Sequence, residues 1–169
     1  MLIRPATSAD AHGIAIVHVR SWQTAYHGLL PQAVLDDLSV ADREKGWARI
    51  VEDPDAASRT VVAEQDHRIL GWASFGRPRE QELPDAGELW GLYAHPDAWS
   101  TGVGHALIEV VEQELRDAGH RTGYLWVLDG NDRAASFYER HGWVADGATK
   151  VEERPQLHLF ERRRVKPLR

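Results

Sequence analysis

The sequence predicts a mixed α/β fold, a central sheet of about six or seven strands with helices packed on its faces. Two patterns point to it. Apolar residues recur at helical spacing in 11–26 and 102–118, and β-rich runs bounded by turn residues appear at 60–64, 69–75 and 122–128. The resulting order, β-α-α-β-β-β-α-β-α-β-β, is not the regular alternation of a doubly wound parallel sheet. Neither an internal repeat nor a Gly/Ser/Pro-rich linker interrupts the 169 residues, so residues 1–169 read as one domain.

Leu2 to Ala6 reads as a short first strand, and Thr7-Ser8-Ala9-Asp10 has capping-box spacing. Ala11, Ile14, Ala15, His18, Trp22 and Tyr26 form the stripe of the first helix, which Gly28 ends. Pro31 suits the start of a second short helix over Gln32–Leu38. Val40 to Val51 is helical again, and Asp53-Pro54-Asp55 breaks it. Thr60–Glu64 and Ile69–Phe75 flank a turn at Gln65–Arg68 and predict a hairpin. A polar loop, 76–87, leads to the strand Glu88–Ala94, stopped by His95-Pro96. Val103, Ala106, Leu107, Val110, Val111, Leu115 and Ala118 make helix 102–118 the clearest of all, with Gly119 just past its end. Strand 122–128, helix 132–141 and two strands within 143–148 and 157–163, joined by Thr149–Pro155, complete the chain.

Composition narrows the function classes. Without cysteine there is neither a disulfide framework nor a thiolate zinc site, and the nine histidines show no metal-ligand spacing. A formal net charge of −6 argues against a nucleic-acid partner. The one basic cluster, Arg162-Arg163-Arg164 with Lys166 and Arg169, reads as a solvated last strand and tail. Neither a signal-peptide apolar core nor a membrane-length run is seen, so the expected location is the cytoplasm, away from membranes.

Two segments carry chemistry. In Trp99-Ser100-Thr101-Gly102-Val103-Gly104-His105 a loop opens a strong helix. A helix N-terminus offers unpaired N–H donors and partial positive charge, which suits a pyrophosphate. Gly-x-Gly alone is a weak signal. The chain lacks the third glycine of a dinucleotide fingerprint and the Gly-Lys-Ser/Thr of a P-loop. The second segment is Asn131-x-x-Ala134-x-x-Phe137-Tyr138-x-x-x-Gly142-Trp143. Taken singly, its Asn131 is a helix cap and its aromatics are packing residues.

Together the two segments resemble the cofactor motifs of the GNAT superfamily of N-acetyltransferases, and the resemblance runs from Ile3 to Arg163. It implies the GNAT fold with splayed strands at the CoA site, and acetyl-CoA as acyl donor. Gly102 and Gly104 match the pattern Gln/Arg-x-x-Gly-x-Gly/Ala, whereas Trp99 stands at the Gln/Arg position and Trp143 where Phe is commoner. By resemblance, residues 99–105 (Trp99, Ser100, Thr101, Gly102, Val103, Gly104, His105) cradle the pyrophosphate. Leu92, Tyr93 and Ala94 lie along the pantetheine arm, Asn131 and Ala134 flank it, and Tyr138 donates to the sulfur. The chemistry agrees. Attack of an amine on a thioester expels a thiolate, and a phenol of pKa about 10 stays protonated to receive the charge.

A lysine-like amine must lose a proton before attack, at roughly 4–5 kcal/mol near pH 7, whereas an α-amine needs only about 1 kcal/mol. Glu88, in phase with Trp90, Leu92 and Ala94, is the expected base, and many GNAT members carry an acidic residue nearby. An ordinary solvated carboxylate at a strand entrance is the competing reading. His27 and His95 suit turns better than catalysis. Trp22 and Tyr26, one helical turn apart, form an expected aromatic wall for the acceptor. Glu152 and Glu153 lie in the last connecting loop, where carboxylates attract cations. The expected activity is acetyl transfer to a primary amine of a small molecule. A protein N-terminus or lysine as acceptor, or a non-catalytic acyl-CoA sensor, remain alternatives, and a homodimer is compatible with the family.

Overall fold

The computed structural model describes residues 1–53, 56–154 and 157–169. Pro54, Asp55, Pro155 and Gln156 lie outside the described residues, so the predicted break at 53–55 and the last connection are described only in part. The elements are β1 (Leu2–Pro5), α1 (Ala11–Ala25), α2 (Gln32–Asp36), α3 (Val40–Glu52), β2 (Ser58–Gln65), β3 (Arg68–Gly76), β4 (Gly87–Ala94), α4 (Val103–Asp117), β5 (Thr122–Leu128), α5 (Asp132–Arg140), β6 (Val144–Arg154) and β7 (Leu157–Pro167). Single 3-10 turns precede α1 at Ser8–Asp10 and α4 at Pro96–Ala98.

Seven strands form one sheet in the order β1-β2-β3-β4-β5-β7-β6, antiparallel except for the β4–β5 pair. The mixed sheet and its two-face packing agree with the sequence pattern. The largest core joins α4 (Val103, Leu107, Ile108, Val111, Leu115) to Ala73, Phe75, Leu89, Leu125 and Val127 of the sheet. A second core lies between α1, α3 and the sheet, built on Ile14, Val17, Trp47, Val62 and Trp72. The capping box at Thr7 is made: the Thr7 N–H donates to Asp10 Oδ2 at 2.8 Å, and Arg4 clamps the same carboxylate.

The last hairpin differs from expectation. β6 runs to Arg154 and β7 to Pro167, because the two strands pair along most of their length across an irregularity between Ala145 and Thr149. Gly147, at φ +92°, sits within that irregularity. Glu152 and Glu153 are therefore strand residues, and Arg154 Nε donates to Glu152 at 2.7 Å. The basic cluster of β7 is likewise only partly solvated. Arg164 is buried and donates to Glu139 at 3.0 Å, while Arg162 pairs with Asp129 and Arg163 with Asp146.

Candidate active site

The site begins where the sheet comes apart. β4 and β5 pair only from Gly87–Leu89 to Gly123–Leu125. On the other side of β4, Leu89 is opposite Phe75 but Gly91 is opposite Ser74, so Trp90 is the extra residue of a β-bulge. Beyond it, β4 and β5 diverge and leave a cavity of about 730 Å³, within the usual range for small-ligand sites. Leu92, Tyr93 and Ala94 line one wall, and Trp126, Val127 and Leu128 the other.

The glycine loop enters this cavity from the end of β4. Gly102 caps α4 at φ +94°, a backbone conformation that L side chains rarely adopt. The first backbone bond of α4 runs from Ala106 N–H to Gly102 C=O. The N–H groups of Val103, Gly104 and His105 have no backbone partner among the described residues. Trp99, Ser100, Gly102, Gly104 and His105 line the cavity; Thr101 and Val103 do not. Thr101 donates its hydroxyl to Ala98 C=O at 2.7 Å, and Val103 is buried in the core, so any ligand contact of these two is through main chain. Gly104 also answers a packing need: a Cβ there would meet Phe137 at 3.1 Å.

Trp99, the departure from the motif, has a defined role in the structure. Its indole N–H donates to Ala94 C=O at 2.9 Å, tying the loop to β4. The Arg133 guanidinium lies 4.0 Å from its ring centroid, stacked as a cation on the π face. A cation is thus present at the loop, supplied by α5 rather than by the loop itself. The unpaired donors and this guanidinium fit a pyrophosphate.

Tyr138 projects from α5, capped by Asn131, whose side-chain oxygen accepts from Ala134 N–H at 3.1 Å. That capping bond leaves the Asn131 amide NH₂ available to a ligand. Tyr138 is 7% exposed and lines the cavity; its carbonyl accepts from His141 and Trp143 N–H, while its hydroxyl has no partner among the described residues. Burial, then the neighbouring Tyr93, pushes its phenol above the usual range, so it stays protonated across the neutral range. Also in the cavity lining, the Tyr26 and Tyr93 hydroxyls are 3.0 Å apart. Trp22 packs edge-on to Tyr26 with centroids 5.0 Å apart. Trp22 and Tyr26 are therefore both core and cavity wall.

Glu88 is not the free carboxylate expected of a base. It is 1% exposed and does not line the cavity. Its oxygens accept from the Arg79 N–H at 2.8 Å, the Arg79 guanidinium, and the Tyr124 hydroxyl at 2.7 Å. The bulge at Trp90 is the reason. It breaks the two-residue period, so that Leu89 shares the α4 face with Leu92 and Ala94 while Glu88 points to the other face. His27 is exposed, and His95 caps the 3-10 turn by accepting from Asp97 N–H at 3.3 Å.

Two carboxylates do line the cavity, Glu152 of β6, paired with Arg154, and Glu161 of β7. Glu161 sits in register with Leu128 and Lys150, and its Oε2 is buried without a hydrogen-bond partner, 3.7 Å from Lys150 Nζ. Burial raises its pKa more than Lys150 lowers it. Leu157, Leu159 and Glu161 share one strand phase, so a single acid following two buried leucines was the available sequence signal.

Comparison with known proteins decides the family. The model of the acetyltransferase (GNAT) family matches residues 18–143, most of the chain and both motif segments. The chain belongs to the GNAT acetyltransferase family. An uncharacterised N-acetyltransferase of Bacillus subtilis strain 168, YuaI, is 30% identical over 141 residues, covering 82% of this chain and 78% of that protein. A mycothiol acetyltransferase of Geodermatophilus obscurus is 36% identical over 79 residues, 46% of this chain and 26% of that protein. The crystal structure of the PaiA N-acetyltransferase of Thermoplasma acidophilum in complex with coenzyme A has the same fold, with a TM-score of 0.74 at 18% identity over 98% of each chain.

Within this GNAT domain the second departure from the motif also has a local cause. Trp143 is fully buried, and its indole N–H donates to Glu112 at 2.9 Å. Space for the larger ring comes from Gly123, where a Cβ would stand 2.7 Å from the indole. Glu112, buried on α4, is held in turn by Lys166 Nζ at 2.6 Å. Nothing in the sequence pattern marks Arg133, Arg79 or Glu112 as site or support residues, since each acts on a partner distant in the chain.

Proposed function

We propose that this GNAT enzyme moves the acetyl group of acetyl-CoA to a primary amine of a small molecule by direct attack within a ternary complex. One observation carries the reading: a single cavity joins the open N–H groups of α4 and the Tyr138 phenol to an aromatic, carboxylate-bearing wall across the sheet opening. The relative bound to coenzyme A supports acetyl-CoA as donor. The mycothiol acetyltransferase similarity supports a small acceptor.

In this reading, the N–H groups of Val103, Gly104 and His105 and the Arg133 guanidinium receive the pyrophosphate. The free edge of β4 at Leu92 and Ala94 pairs with the amides of the pantetheine arm, an added strand. The amine nitrogen attacks the thioester carbonyl carbon, the C–N bond forms and the C–S bond breaks. Tyr138 donates a hydrogen bond from its phenol to the departing sulfur and stabilises the thiolate as its charge develops, keeping its own proton. Glu161, a carboxylate made more basic by burial, takes the proton lost by the amine. The Trp22–Tyr26–Tyr93 wall, packed ring on ring, is a surface suited to a compact acceptor.

The test is thiol release from acetyl-CoA with a panel of small amines and short peptides. Tyr138→Phe is expected to lower kcat by about 10²-fold while leaving the acetyl-CoA dissociation constant nearly unchanged. Undiminished turnover in that variant removes the phenol from the mechanism, and faster turnover of peptides than of any small amine overturns the acceptor class.

A further inference from the structure

The acceptor end of the cavity holds more positive charge than its own carboxylates balance. Arg43 of α3 and Arg154 of β6 approach the same indole from different elements, their guanidinium carbons 5.9 and 5.8 Å from the Trp22 ring centroid. His18 packs on that ring as well, with centroids 5.4 Å apart. All four side chains line the cavity. Arg154 is paired with Glu152 at 2.7 Å. Arg43, half-buried, has no carboxylate partner among the described residues. Burial and the facing Arg154 both lower the Arg43 pKa, the mark of two like charges held together. This occurs in a chain of net charge −6, where a carboxylate neighbour would be easy to supply.

We propose that the acceptor amine carries an anionic group, a carboxylate or a phosphonate, and that Arg43 and Arg154 receive it over the Trp22 ring. The inference rests on the acetyltransferase reading and adds the acceptor's charge. The cavity is then bipolar. Glu161 lines the cavity and its charge acts on Tyr26 and Tyr93, while the two guanidiniums lie over Trp22, which packs against that tyrosine pair. An arginine fork matches a carboxylate or phosphonate oxygen pair in geometry. The same arrangement disfavours polyamines, whose distal ammonium would meet Arg43.

Matched acceptors test this directly. Thiol release from acetyl-CoA is measured with L-methionine against L-methioninamide, with β-alanine against 2-aminoethylphosphonate, and with spermidine. The acid is expected to exceed its amide in kcat/KM by about ten-fold or more, the size of one lost charge-assisted hydrogen bond. The second pair distinguishes carboxylate from phosphonate. Arg43→Gln is expected to raise KM for the acid with little change in kcat, so that acid and amide converge; Arg154→Gln gives a second, independent variant on an exposed strand. Calorimetry of N-acetyl-L-methionine and its amide on the CoA-loaded protein reads the same preference without turnover. Equal or absent heat for both, an amide or spermidine preferred over the acids, or an equal effect of Arg43→Gln on acid and amide overturns the proposal. If acetyl-CoA itself gives no heat and no amine releases thiol, the failure lies with the transferase reading instead.

Discussion

Replacing Glu88 by glutamine separates a structural carboxylate from a catalytic one. In the native site one oxygen accepts from the Arg79 N–H at 2.8 Å and from the Tyr124 hydroxyl at 2.7 Å, while the other accepts from the Arg79 guanidinium. Glutamine keeps the first oxygen and its two donors. Its NH₂ then faces the guanidinium, donor against donor, and a buried donor without an acceptor costs about 1–3 kcal/mol. The lost ion pair adds little, because the Arg79 side chain is 52% exposed and screened. A net loss of about 2 kcal/mol corresponds to a fall in Tm of roughly 4–8 °C for a chain of this size. Calorimetric or circular-dichroism melting measures it, alongside the pH profile of kcat/KM. The expected result is a lower Tm with the acid limb of the profile kept. An unchanged Tm with a hundred-fold loss of kcat/KM and no acid limb would show that Glu88 takes the proton after all.

Three other perturbations follow from the same geometry. Arg133→Ala is expected to weaken acetyl-CoA binding by about ten-fold, the value of one charge-assisted bond, with a smaller loss at high salt; titration calorimetry at two ionic strengths decides, and an unaltered dissociation constant refutes the role. The His18 imidazole is lowered to about 3 by burial, then by Arg43 and Arg154, so below the unfolded value near 6.5 the unfolded chain binds the extra proton. Folding stability from this group is therefore complete above pH 6.5 and declines as pH falls toward 3, by about 3 kcal/mol at pH 4.5. Glu161, raised by burial, acts in the opposite sense, so the quantity to measure by urea unfolding is the difference between wild type and His18→Gln. Parallel pH curves for the two proteins would contradict the assignment. Finally, Gly123→Ala places a Cβ 2.7 Å from the Trp143 ring and is expected to cost about 1–3 kcal/mol by overpacking; Trp143→Phe in the same chain should recover part of it, and additive losses would show that the two positions do not share that space.

Local patterns were legible where one element decides the outcome. The stripe of α4, the turn at 65–68, Gly102 and Gly119 at positive φ, and the Asn131 cap all follow from neighbours within a few residues. The expectation of a Glu88 carboxylate on the Leu92–Ala94 face departed from the structure at the point where the strand period was broken by pairing. Whether β4 contains a bulge depends on its register against β3, which the sequence of β4 does not contain.

Hence the amino-acid sequence by itself determined the element order, the two motif segments and the family, because helical and strand periodicity and cap chemistry are properties of contiguous residues. Only the tertiary structure decided which side chains meet: Arg133 on Trp99, Arg79 and Tyr124 on Glu88, Arg43 and Arg154 on Trp22, and Glu161 in the cavity. Each of those contacts joins separate elements. Their geometry is set by a strand bulge and by the parting of β4 from β5, where main-chain pairing stops and side chains from both faces of the sheet reach one space.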